Sequence, residues 1–293
     1  VSTILRPWTW FVERCMAPID LRPLALLRIF VPLCIFFDLL RVAQVGLTKI
    51  LFTPYAQGGL SQVQDEGLWL HQLVGPERAG PVAYFVTLLC MPLVSLGVAA
   101  RPAMLIGALA YAQLGHLYPP GDRAIDRVLR MVLIILAFSH SHKVWTWWTW
   151  RRGETSDVTG PAWPAGLIRW ALCLIYMSAG ISKLMQQPRW LAIDGVPVLY
   201  RIVTDPLAAH LDPVVWADTR WPFYVGGIGT IVMEVGGFMV LTRWRPWFGL
   251  FGVAMHVGIF GSMELGMFSL GMLSLYPLLF DRWMPPPRSQ QAR

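Results

Sequence analysis

Charge is scarce in this chain. Only 14% of its 293 residues are charged, against 55% hydrophobic, whereas a soluble globular domain carries about 25% charged residues. That shortage argues against a soluble fold and for an integral membrane protein. Cysteine is scarce as well. Cys15, Cys34, Cys90 and Cys173 lie far apart with no CxxC spacing, a pattern that gives neither a disulfide framework nor a metal site. Three of them fall in apolar runs and read as small hydrophobes. No internal repeat is visible, so the usual sequence sign of a repeat-built transporter is missing. There is also no low-complexity run, and the first residues lack the basic n-region and cleavage site of a secretory signal.

What is present is apolar length. Eight segments, about 24–45, 80–99, 102–118, 124–140, 165–184, 222–241, 246–263 and 266–281, are long enough or nearly long enough to span a hydrocarbon core of roughly 30 Å. The expected fold is all-α: a polytopic transmembrane bundle of about eight helices forming a single domain over 1–293. Residues 4–16 mix aromatic and basic side chains and read as an interfacial helix within the segment 1–20. Residues 284–293 read as a tail.

Loop charge supplies the orientation. With the first residues placed in the cytoplasm, Arg14, Arg22, Arg101, Lys143, Arg151, Arg152, Arg243, Arg245 and Arg282 fall on the inner side, and fewer basic residues fall outside. This agrees with the positive-inside rule and puts both termini in the cytoplasm. The net charge of +7 is then a property of inner loops, not a sign of nucleic-acid binding. The expected location is the inner (cytoplasmic) membrane, with the candidate site facing the periplasmic or extracellular side. Outer loops of about 46–79 and 185–221 are long enough to fold over something. The inner loop 141–164 carries Trp145, Trp147, Trp148 and Trp150, an aromatic interfacial anchor.

Ionisable residues inside apolar segments are functional candidates by default. Arg28 and Arg169 lie one turn inside their helices and either snorkel to the headgroups or face the bundle. Asp38 and Arg41, three apart, are expected to pair with each other, as are Asp126 and Arg130, four apart, unless the latter two line a pocket. Glu234, mid-helix among glycines, is expected to meet a buried cationic partner. His256 either bonds across helices or serves as an acid–base group. Lys183 closes the fifth apolar segment. Tyr176, Gly180 and Lys183 are spaced four and three apart and share one helix face. A lysine there snorkels outward or, if buried, becomes a base.

The stretch Tyr176-Met-Ser-Ala-Gly180-Ile-Ser-Lys183-Leu184, followed by Trp190 and Asp194-Gly195, resembles the vitamin K-dependent γ-carboxylase family. It also fits the wider group of horizontally transferred transmembrane (HTTM) domain proteins. Arg28, the Pro54-Tyr55-Ala56 motif, Asp126-Arg-Val-Leu-Arg130, His256, Gly266-Met-Phe268-Ser269 and Pro277-Leu-Leu-Phe280 extend the resemblance over most of the chain. It implies an isoprenoid quinone or hydroquinone as cofactor, no metal, Lys183 as the base and His256 nearby. Tyr176, Gly180, Glu234, Asp126, Arg130, Trp190 and Asp194 would be binding residues. Two departures limit it: Asp126-Arg127 stands where the carboxylases have an Asn-His pair, and nothing here matches their large lumenal substrate-gripping region. The resemblance therefore supports quinol-linked oxygenation or carboxylation chemistry in the membrane core more than peptide carboxylation. A different class of function is a non-catalytic membrane subunit that docks on a larger respiratory or photosynthetic complex and holds lipid or quinone. A small transporter or channel is the third.

Overall fold

The structure, a computed structural model, describes residues 2–61, 69–153, 159–186, 190, 196–205, 210–212, 214–216 and 218–285. Asp194 and Gly195, expected near the site, lie outside the described residues. The chain divides into two compact units, the first within residues 1–164 and the second spanning Ala165–Pro285.

The first unit begins with α1 (Ser2–Met16), which leaves Trp8, Trp10 and Phe11 exposed and sets the Arg14 guanidinium 5.3 Å from the Trp10 ring centroid. Such a helix suits the membrane interface. A short strand, β1 (Pro18–Asp20), follows. Then come α2 (Arg22–Gln44), α3 (Leu47–Phe52), α4 (Trp69–Val74), α5 (Pro76–Leu96), α6 (Ala100–Leu117), α7 (Ala124–Phe138), α8 (Trp147–Arg152) and β2 (Thr159–Pro161). The two strands form a three-residue antiparallel ribbon with Ile19 opposite Gly160.

Helices α2, α5, α6 and α7 pack in a closed ring, each on the next and α7 back on α2. Their inner faces follow helical spacing. Leu24, Leu27, Val31 and Ile35 of α2 meet Ala83, Met91 and Val94 of α5, Met104 and Ala108 of α6, and Leu129, Val132, Leu133 and Leu136 of α7, all nearly or wholly buried. The turn from α5 to α6 is a Schellman motif. Gly97 at φ +72° donates its N–H to Val94 O, and Val98 donates to Leu93 O. Glycine takes the left-handed conformation without a Cβ penalty.

The second unit holds α9 (Trp163–Gln186, from Ala165 on), α10 (Val198–Val203), α11 (Trp221–Val235), α12 (Arg245–Ser262) and α13 (Phe268–Leu273). A 3-10 segment, Gly236–Leu241, extends α11, and another, Tyr276–Leu278, follows α13. Ile168, Leu172, Tyr176, Phe248, Met272, Leu275 and Tyr276 form its buried interior.

All eight expected apolar segments are largely helical. Four of them, Arg22–Gln44, Pro76–Leu96, Trp163–Met185 and Trp221–Leu241, are long and apolar enough to cross a membrane by length and composition. The other four fall short for readable reasons. Helix α6 carries Arg101, Gln113 and His116, α7 has 15 residues, α12 includes Arg245 and His256, and the last segment breaks before Pro277. Exposed apolar side chains such as Phe85, Leu89 and Leu109 in the first unit and Leu174, Val232 and Phe251 in the second are the surface that lipid covers.

Candidate functional site

In the second unit Lys183 ends the long apolar helix α9, and its ammonium donates to both carboxylate oxygens of Glu234 on α11, each at 2.7 Å. The glutamate side chain is 10% exposed and the lysine 25%. This is a half-sheltered, bidentate pair, not a lysine reaching freely outward. Gly180 makes it fit. A Cβ there would lie 2.7 Å from Val235 N and 2.9 Å from Glu234 Cβ, so only glycine lets α11 come this close. The Trp190 ring completes the enclosure, its centroid 5.4 Å from Lys183 Nζ, a distance at which a cation is attracted to the ring face.

Two turns back on the same face of α9, the Tyr176 hydroxyl is hydrogen-bonded to His256 Nε2 of α12 at 2.8 Å and to the hydroxyl of Tyr276. All three residues are 1–3% exposed. The cluster is held by rings: Tyr176 meets Phe248 edge-on at 5.2 Å, and His256 packs on Phe268 at 5.8 Å and Tyr276 at 5.9 Å between centroids. Two buried polar atoms of this unit, His256 Nδ1 in the cluster and Ser269 Oγ on α13, have no hydrogen-bond partner among the described residues. Buried polar groups are rarely left in that state.

A cavity of about 720 Å³ opens among α10, α11 and α12. Its walls are apolar, with Leu199, Phe223, Met233, Phe251, Met255 and Ile259 among them. Lys183, Glu234 and His256 do not line it; Phe248, the ring partner of Tyr176, does. The cavity is therefore one aromatic side chain away from the hydrogen-bonded cluster. At another edge of this unit Asp281 binds both Arg169, at 2.6 Å, and Arg245, at 2.7 Å, while Arg169 also donates to Leu278 O. Arg169 is thus locked by an acid and a carbonyl, not snorkelling.

In the first unit the expected local pairings are replaced by others. Asp38 pairs with Arg123, not with Arg41. Asp126 accepts from Arg123 N and Nη2 at 2.9 Å and from the Tyr111 hydroxyl at 2.7 Å, and Arg130 binds Asp122 at 2.7 Å. Asp126 and Arg130 therefore do not pair with each other. Asp126 sits in the first turn of α7, where a carboxylate satisfies free backbone N–H groups. Both residues line a cavity of about 460 Å³ in this unit. Burial pushes the Asp122 carboxyl up, but hydrogen bonds and charge from Arg130 and Arg127 outweigh that and hold it below the ordinary value. Arg28 is wholly buried and donates to the carbonyls of Val94, Ser95, Val144 and Trp145 at 2.7–3.0 Å. It caps the C-terminal end of α5, where the helix dipole favours a cation.

The sequence model of the HTTM domain family matches residues 16–283. The chain belongs to the HTTM domain family. Comparisons with curated proteins and with solved structures return no match. Within this HTTM domain, the structure brings Lys183, Glu234, Gly180 and Trp190 together, and places Tyr176 and His256 in a second cluster of the same unit. Tyr276 belongs to that cluster although its sequence position gives it no role. A neutral tyrosine in an apolar run carries no charge signal, and only its place next to Pro277 in the family-like block marks it. Among the described residues no group of three His, Cys, Asp or Glu side chains could hold a metal ion.

Proposed function

We propose that this HTTM domain protein binds an isoprenoid quinol in its second unit and that the Lys183–Glu234 pair takes the hydroxyl proton. The observation that carries the reading is the pair itself, a half-sheltered lysine–glutamate couple on the same face of α9 as a buried Tyr176–His256–Tyr276 cluster.

The residues present suit such a ligand. The apolar cavity of about 720 Å³ matches a prenyl chain, and the unpartnered His256 Nδ1 and Ser269 Oγ offer bonds to a polar ring. When bound, a quinol supplies two electrons and two protons for reduction or oxygenation chemistry. The protein's part is proton handling. In one tautomer the shared proton sits on Lys183 and the Glu234 carboxylate is the acceptor; in the other Lys183 is the neutral base. Either way, one added proton leaves an ammonium beside a protonated carboxyl, and that ammonium offsets negative charge left on the donor oxygen. Tyr176 passes a proton between Tyr276 and His256 by hydroxyl rotation. Trp190 and the close α9–α11 contact at Gly180 shelter the pair in part, the glutamate more than the lysine. In this reading the protein lies in the inner membrane with the pair toward the periplasmic side.

The test is quinol-dependent O₂ uptake by the purified protein, together with mass spectrometry for a co-purifying quinone. Lys183→Met is expected to abolish uptake while the ligand is retained. Unchanged uptake in that variant, or no quinone in the wild-type preparation, overturns the reading. One feature favours a second reading: each Glu234 oxygen is already bonded to Lys183, as in a purely structural pair. In that case the protein is a non-catalytic subunit of a larger membrane complex. Co-purification at fixed stoichiometry, with no oxygen uptake, would identify it.

A further inference from the structure

A second group of polar side chains lies in the first unit, where α5 ends, α6 begins and the loop after α7 crosses to α8. Four basic or titratable side chains gather there. The Arg101 guanidinium donates to Ser139 O at 3.4 Å, His142 Nδ1 lies 3.3 Å from the same oxygen, and the rings of His140 and His142 stack at 6.2 Å between centroids. Burial, then the charges of Lys143 and Arg101, push the His140 imidazole below its ordinary value. His142 is pushed down by burial, Arg101, His140 and Lys143. Both imidazoles are thus held toward the neutral form, and the charge of the cluster is that of Arg101 and Lys143. Neither Arg101 nor Lys143 has a carboxylate partner among the described residues. The first turn of α6, where backbone N–H groups and the helix dipole favour an anion, has no side-chain cap.

Beside this cluster is a groove of about 630 Å³ lined by Ser95, Leu96, Trp145, Thr146, Trp147 and Trp150. The Trp147 and Trp150 rings meet at 5.2 Å, and Arg151 sits 5.9 Å from the Trp147 centroid. Lys143 and Trp145 are two residues apart, so the groove and the basic cluster adjoin. Tryptophan at such a position marks the headgroup level of a bilayer.

We infer that this end of the unit is a binding site for one anionic phospholipid of the surrounding bilayer. Its phosphate sits among Arg101, His142 and Lys143, and its glycerol region lies in the tryptophan groove. Arg101 and Lys143 carry like charge with no carboxylate beside them among the described residues, and a bound phosphate supplies their counter-ion. The aromatic groove takes the part of the lipid that is neither charged nor fully apolar. A lipid accounts for both features together, whereas a free phosphate needs no groove.

The experiment is native mass spectrometry of the full chain in detergent. It would be titrated in turn with phosphatidylglycerol, phosphatidylcholine and inorganic phosphate. Phosphatidylglycerol is expected to bind in preference to phosphatidylcholine. A basic side chain near a membrane surface contributes about fivefold in affinity. Lys143→Gln should therefore weaken phosphatidylglycerol binding about fivefold, and Arg101→Gln with Lys143→Gln about twenty-five-fold. Lys143 is exposed at the surface, so its single variant keeps the test valid if the double variant fails to fold. Three results overturn the proposal: equal binding of the two lipids, unchanged affinity in Lys143→Gln, or displacement of the lipid by inorganic phosphate at equal concentration.

Discussion

Replacing Lys183 by methionine would remove one half of a pair whose other half cannot easily reach water. Methionine keeps most of the stem volume, so the change isolates the charge. The Glu234 side chain is 10% exposed and both of its oxygens are held by Lys183. Removing one member of a buried ion pair costs about 3–5 kcal/mol. Lys183 is 25% exposed, which admits some screening and lowers the expected cost to about 2–3 kcal/mol. An independent ceiling agrees. The orphaned carboxyl can take a proton from solvent, which costs about 3.7 kcal/mol at pH 7 for an ordinary glutamate and about 1.4 kcal/mol less for each unit of pH below that. The penalty should therefore shrink as the medium is acidified. It should also shrink when Glu234→Gln is added, because a neutral amide no longer needs the counter-charge.

Unfolding in detergent, followed by tryptophan fluorescence, measures both effects. The single variant should melt about 5–10 °C below wild type at neutral pH, and the double variant should recover much of that. The pair would not be energetically coupled if Lys183→Met melted with wild type, or if adding Glu234→Gln gave only the sum of the two single effects.

Three other perturbations have definite outcomes. Gly180→Ala places a methyl 2.7 Å from Val235 N, so α9 and α11 must part, at about 1–3 kcal/mol; a melting shift below 1 °C would show that the contact yields freely. Arg28→Lys keeps the charge but not the fork that reaches four carbonyls, and should cost about 3 kcal/mol in the same assay, with a wild-type melting point as the contrary result. The Asp122 carboxyl is held down by Arg130 and Arg127 against burial. Its contribution to stability is therefore complete above the unfolded-state value of about 3.9 and is lost as pH falls through its lower folded value. Asp122→Asn should lower stability above that range and flatten its loss in acid, so an unchanged acid limb of the stability curve would contradict the assignment.

The helices were readable because apolar periodicity is a local property. The same holds for the face of α9: spacings of four and three put Tyr176, Gly180 and Lys183 on one side, and Glu234 had to find a cation. The ionic pairings of the first unit were not readable for the complementary reason. Sequence spacing offers only neighbours three or four apart, so it pairs Asp38 with Arg41 and leaves Asp126 and Arg130 either to each other or to a pocket, and the cavity they line is the alternative the fold takes. The fold instead supplies Arg123, which lies just before α7 and extends its guanidinium across to Asp38 of α2, 85 residues away. Arg28 escaped for a related reason. Its partners are carbonyl oxygens at a helix end and in a distant loop, and backbone acceptors carry no residue-type signal. Tyr276 escaped because a hydroxyl inside an aromatic run looks like packing until a second hydroxyl is found against it.

These pairings also distinguish the candidate site from the rest of the charge inside the molecule. In the ion pairs of Asp20, Asp38, Asp122, Asp126 and Asp281 the cation is an arginine. A guanidinium does not give up its proton in a protein, so those clusters fix geometry and cannot exchange protons. His210–Glu264 is nearly half exposed and 3.6 Å apart, which leaves it governed by solvent. Lys183–Glu234 alone, among the described ion pairs, joins two groups that can trade a proton in a sheltered place. Protonating either partner there does not dismantle a helix cap, as protonating Asp126 would. What separates this pair from the others is therefore its lysine and its shelter, and both depend on α9 and α11 touching at Gly180.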